Sequence, residues 1–145
     1  MSEPQQYQPP VSYYAIAAFF LIWNLIGLMF YYMQVTMTPE VMAANFTPEQ
    51  VAFMIGEPVW ATAAYATAVS AGVVAALLLL LRKSRAKLFF IISFAAVLLQ
   101  DLNAFVLSNG LEVWGMSGLY LPVIVIVMCL AEIWYSHSIA NRYYR

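Results

Sequence analysis

The chain has 145 residues, 64% of them hydrophobic and 9% charged, with 6 Lys and Arg against 7 Asp and Glu. Water-soluble domains carry about 25% charged residues, so composition excludes a soluble fold and points to lipid as the solvent. Cys129 is the only cysteine, which excludes an internal disulfide framework, a CxxC redox motif and a thiolate metal cage.

Residues 1–12 hold Pro4, Pro9 and Pro10 and read as a disordered tail. No signal peptide is expected. The first residues lack Lys and Arg, and the apolar run that follows is too long for an h-region. That run, Tyr13 to Val35, is the first span. About 20 helical residues cross a hydrocarbon core of about 30 Å. The other spans run from Pro58 to Leu81, Ala86 to Leu107 and Gly118 to Ser138. Pro58 suits a first helical turn, where its missing N–H leaves nothing unpaired. Ser108-Asn109-Gly110 stops the third span. The apolar runs are continuous rather than alternating, which excludes membrane strands. The fold class expected is an all-α, four-transmembrane-helix bundle.

Arg82, Lys83, Arg85 and Lys87 fill the turn between spans two and three, and Arg142 and Arg145 lie in the basic tail, 142–145. Basic segments stay in the cytoplasm. Both termini are therefore expected inside, and the first and third loops, with Glu40, Glu49, Glu57 and Glu112, outside. The location expected is a bacterial inner membrane. In the long first loop, Thr38-Pro39-Glu40 and Thr47-Pro48-Glu49 each read as an N-cap, a Pro at N1 and an acid at the positive dipole end. Two short helices are predicted there, either a lid over an outward cavity or a packed connector.

Span two carries Ala64, Ala68, Gly72 and Ala76 at intervals of four, and Ala63, Thr67, Ala71 and Ala75 likewise. Small residues let backbones approach where the hydrophobic effect gives little. Span two is expected to be the central helix, with Gly27 of span one against it. The small faces of 63–76 also offer a seam for a homo-oligomer or a membrane-protein partner, besides the bilayer itself.

Polar residues inside the spans mark candidate sites. At 100° per residue, Asn24, Gly27, Tyr31 and Gln34 share an arc of about 80°. Gln100, Asp101 and Asn103 lie on span three. Asp101 stands about 21 Å above Lys87 at 1.5 Å per residue, level with Tyr31 and Gln34. Trp60, Tyr65 and Tyr120 reach the same layer. Together they imply a polar, aromatic-lined pocket beneath the first loop. With no cation in reach, the Asp101 carboxyl has to be hydrated, hydrogen-bonded or protonated. The alternatives are a ligand or proton site, or a structural network with Gln34 and Tyr31. Glu132 in span four is a second candidate, though approach to the headgroups and Arg85 or Lys87 is the preferred reading. His137 is read as an interfacial residue meeting water.

Met29, Met33, Met37, Met42, Met54 and Met116 gather toward the outer side. Thioethers bind Cu(I), but no His or Cys accompanies them, so they read as gap-fillers. No metal or other cofactor is expected. There is no Ser-His-Asp set, no phosphate loop and no nucleic-acid footprint, so the chain reads as non-enzymatic.

Trp23-Asn24-Leu25-Ile26-Gly27-Leu28, the two Thr-Pro-Glu triplets with Gln50, and the Leu-rich run into Arg82-Lys83-Ser84 resemble a small bacterial four-span inner-membrane family. Its members have no established activity and sometimes carry the automatic label sugar transporter. The four-span plan is also similar to the DoxX-like group in architecture alone. The resemblance implies topology and loop caps and assigns no site residue. The leading expectation is an accessory or interaction module with an outward polar pocket. The alternative is a small-solute or proton-coupled transporter working as a homo-oligomer.

Overall fold

The structure, a computed structural model, describes residues 7–145. Its long helices are α1 (Val11–Thr36), α4 (Val59–Leu80), α5 (Ala86–Asp101, continued by a π-helix over Leu102–Leu107) and α7 (Tyr120–Ser138, entered through a 3-10 turn at Met116–Leu119). All four segments are long and apolar enough to cross a membrane. A chain that crosses lipid must satisfy its backbone internally, and a helix does this within one segment. The protein is a multi-pass helical membrane protein. Of the tail expected over 1–12, residues 1–6 lie outside the described residues, and Val11 and Ser12 already belong to α1.

The first loop folds into two short helices, α2 (Pro39–Asn45) and α3 (Pro48–Ile55). Thr38 caps α2 by accepting from the Val41 N–H at 3.4 Å. At α3, Thr47 and Gln50 form a reciprocal capping box, with bonds of 3.2 and 3.1 Å. Each box member satisfies a backbone donor that the helix start leaves open. Pro58 is the N-cap of α4, one place before the first turn.

Helix α4 is the central one: 44% of its apolar window is buried, against 11–28% for the other three spans. Its closest neighbours are α5 and α1, and α5 in turn packs on α7. Ala64, Ala68, Gly72 and Ala76 are all buried, as the spacing predicts. The second small set divides, because Ala71 and Ala75 are buried whereas Ala63 and Thr67 are exposed. Gly27 faces α4 as expected; a Cβ there would meet Val69 Cγ1 at 3.4 Å.

The end of the bundle that carries Arg82–Lys87, the basic end, is tightly packed. Phe20 meets Tyr135 and Phe90 edge-on at 5.7 and 6.2 Å between ring centroids. Tyr13 meets Tyr143 at 5.4 Å, and its hydroxyl donates to the Leu79 carbonyl at 2.6 Å.

Arg82 closes this end. It sits in the left-handed region, φ 59°, just past the C-terminus of α4. Lys83 N–H reaches Leu78 O at 2.8 Å and Arg82 N–H reaches Leu79 O at 3.0 Å. This is the Schellman pattern, in which glycine is usual because a Cβ is unfavourable there. Arg82 is 6% exposed. Its Nε donates to Tyr143 O at 2.8 Å and its Nη2 to Tyr7 O at 3.3 Å. Its own carbonyl accepts from Arg145 N–H at 2.8 Å. Arg82, read from sequence as a cation of the basic turn, thus clamps the segments at both ends of the chain. The basic tail expected at 142–145 is partly a 3-10 turn, Ala140–Tyr143, held in that clamp.

Candidate functional site: a cavity under an aromatic lid

Toward the opposite end, the loop end, the four helices separate around a cavity of about 510 Å³. That is within the usual range for small-molecule sites, about 300–1,000 Å³. Its floor is formed by Asn24 of α1, Ser93 of α5 and Cys129 of α7. Ser93 is spent on the fold, since its hydroxyl donates to the Ala68 carbonyl at 2.7 Å. Trp23, Phe30, Tyr65 and Phe105 supply aromatic wall, while Gln34, Gln100 and Asp101 supply polar groups.

Two loops form the roof. Phe53 of α3 and Trp114 of α6 (Gly110–Trp114) both line the cavity. The Trp114 ring takes Phe46 and Phe53 edge-on, at 6.0 and 6.1 Å between centroids. Gly110 permits this close approach, because a Cβ there would lie 2.4 Å from the Ala104 carbonyl oxygen and 3.3 Å from Phe53. Phe53 of α3 therefore lies down on the bundle, whereas Ile55 of the same helix is 66% exposed. That placement suits both a lid and a connector.

Asp101 is the last residue of α5 before the helix widens into the π-segment. Such widened turns are rare and are found disproportionately at functional sites. Among the described residues, Asp101 Oδ2 is the one buried side-chain oxygen or nitrogen with no hydrogen-bond partner. Of the two alternatives for Asp101, the structural network with Gln34 and Tyr31 is not formed. Gln34 Nε2 instead donates to Glu57 Oε2 at 3.4 Å, and Thr62 donates to the same oxygen at 2.8 Å. Tyr31 stacks edge-on against Tyr65 at 5.2 Å.

The structure therefore brings Asn24, Gln34, Tyr65, Gln100 and Asp101 to one cavity. It keeps four expected residues out of the lining. Tyr31 stands behind Tyr65, and Trp60 is 46% exposed on the bundle surface. Asn103 is buried, with its Oδ1 accepting from Ser108 at 3.4 Å. Tyr120 is 70% exposed. The π-segment accounts for Asn103, since an extra residue per turn rotates it away from a regular helix position.

Glu132 corrects the sequence reading most clearly. It approaches neither Arg85 nor Lys87 and is 1% exposed inside the bundle. Its Oε1 accepts from Asn24 Nδ2 at 2.6 Å, and the same Nδ2 donates to Phe20 O at 2.8 Å. Asn24 is thus shared between the cavity floor and the carboxyl beneath it. Gly72 makes the room, because a Cβ there would stand 1.9 Å from Asn24 Oδ1. His137 reaches Lys87, with Nδ1 2.9 Å from Nζ. Trp114 is a site residue that sequence reasoning missed. Met29, Met33 and Met116 are each at least half exposed and stand on the outside of the bundle.

Comparison with known proteins finds no matching family model, curated protein or solved structure. What the sequence resemblance and the structure share is the four-span architecture.

Proposed function

We propose that this multi-pass membrane protein is a non-enzymatic accessory protein of a bacterial inner membrane that holds a small amphipathic molecule in the cavity under Phe53 and Trp114. The observation that carries this reading is the unpartnered Asp101 Oδ2 in the wall of a largely aromatic cavity. A buried polar atom without a partner costs about 1–3 kcal/mol. A ligand that hydrogen-bonds to it removes that cost. The basic turn and basic tail support an orientation with both termini cytoplasmic and the cavity facing outward. The exposed Ala63 and Thr67 on α4 leave part of one small-residue face free for a second copy or a membrane partner.

The test is native mass spectrometry of the protein released from its own membranes. The wild type should carry a small-molecule adduct. Ala104→Trp, which fills the cavity from the π-segment, should lack it. A bare protein in every preparation counts against the reading.

One observation favours proton-coupled or small-solute transport as a second reading. Two carboxyls, Asp101 in the wall and Glu132 below the floor, lie within the spans with Asn24 next to the lower one. In proteoliposomes, Asp101→Asn should then abolish dissipation of an imposed pH gradient. A wild type that leaves the gradient intact removes this reading.

A further inference from the structure

Charge is divided along this molecule. All six Lys and Arg lie at 82–87 or 142–145, at the basic end. The loop end carries Glu40, Glu49, Glu57 and Glu112 and no basic residue. A solute approaching the cavity from that side meets carboxylates alone. Glu57 stands at the rim, where Gln34 of the lining donates to it. Asp101 then waits within, with no donor on Oδ2 and no cation within ion-pairing distance among the described residues.

The walls agree with the charge. Trp23, Phe30, Phe53, Tyr65, Phe105 and Trp114 line the same space. Aromatic faces are negative and attract cations within about 6 Å of the ring centroid, most strongly where water is excluded. An anion would meet these faces and Asp101 with nothing to neutralise it. A neutral polar molecule would satisfy Oδ2 but leave the field of the loop end unused. Clefts lined by one sign of charge concentrate the opposite ion.

We infer that the cavity takes an organic ammonium cation, with its N–H group on Asp101 Oδ2 and its apolar body against the aromatic walls. This inference rests on the cavity being a binding site, and it adds the class of the ligand.

The test compares three probes on one indole skeleton: tryptamine (ammonium), tryptophol (hydroxyl) and indoleacetate (carboxylate). Binding is measured by calorimetry on the full chain in nanodiscs of zwitterionic lipid, with empty nanodiscs subtracted. Tryptamine should bind the wild type at least about 10-fold more tightly than tryptophol, the equivalent of one buried cation contact, and indoleacetate should not bind. Asp101→Asn should bring tryptamine down to the tryptophol level while tryptophol binding persists, which also shows that the variant is folded. Asp101→Ser repeats the comparison should the amide variant not fold. Equal binding of tryptamine and tryptophol, or a preference that survives both substitutions, overturns the cation inference and leaves the cavity as a site. No binding by any of the three overturns the cavity reading as well.

Discussion

Asn24 and Glu132, 108 positions apart, meet at 2.6 Å in the interior of the bundle. They join α1 to α7, which otherwise meet mainly through large aromatic side chains such as Phe20 and Tyr135. Helix-to-helix hydrogen bonds within membranes contribute about 0.6–2 kcal/mol. Their loss is costlier when a buried group remains unpaired.

Glu132→Gln should therefore be mild, because a glutamine oxygen can accept the same Asn24 donor. Asn24→Leu should be worse, by about 1–3 kcal/mol, since it strands the Glu132 carboxyl. Thermal unfolding in detergent checks the order. If Glu132→Gln proves the more damaging, Asn24 is not the group that stabilises this carboxyl.

Gly72→Ala would drive a methyl into the Asn24 amide. That amide is the end of a short side chain and could turn aside, but only by releasing its bonds to Phe20 and Glu132. The expected cost is about 1–3 kcal/mol. Gly27→Ala, with its nearest neighbour at 3.4 Å, should be close to neutral. In a double-mutant cycle, Gly72→Ala should cost little once Asn24 is already alanine. Additive losses would show that the methyl clashes elsewhere.

At Arg82, backbone and side chain pull in opposite directions. The left-handed conformation costs a non-glycine residue about 1–2 kcal/mol, while the guanidinium holds Tyr7 and Tyr143. Arg82→Ala loses the bonds and keeps the strain. Arg82→Gly loses both and should be the more stable variant by about 1 kcal/mol, though less stable than wild type. Amide exchange at Tyr143–Arg145 should accelerate in both. Unchanged exchange would mean that the clamp does not hold the C-terminal segment.

The Tyr144 hydroxyl, outside the spans, donates to Ser136 O at 2.7 Å, and burial holds its pKa up at about 12. A group whose folded pKa is raised contributes stability below its unfolded value, near 10 for tyrosine. That contribution disappears as pH rises toward 12. Alkaline unfolding of the C-terminal segment should thus occur between about pH 10 and 12, and Tyr144→Phe should flatten that dependence. An unchanged profile in the phenylalanine variant would assign the transition to another group.

Much of this architecture is legible in the sequence because lipid imposes strict length and polarity rules. Four apolar runs, two Thr-Pro-Glu caps and the Ala64–Ala76 face are local patterns, and each has its counterpart in the structure. The site is only half legible. Helical spacing places Asn24 and Gln34 on one arc, but it does not say which neighbour that arc meets. The Asn24–Glu132 bond depends on how α1 and α7 face each other, which no spacing within one helix encodes. Trp114 entered the roof through a contact between two loops. Asn103 left the lining through a π-segment that its sequence, Leu102–Leu107, does not announce.

The aromatic packing of Tyr13, Phe20, Phe90 and Tyr135 bears on anything that enters the cavity. It fills the bundle between the cavity floor and the basic end. On the proposed reading, exchange with the cavity would therefore take place at the loop end, away from this plug.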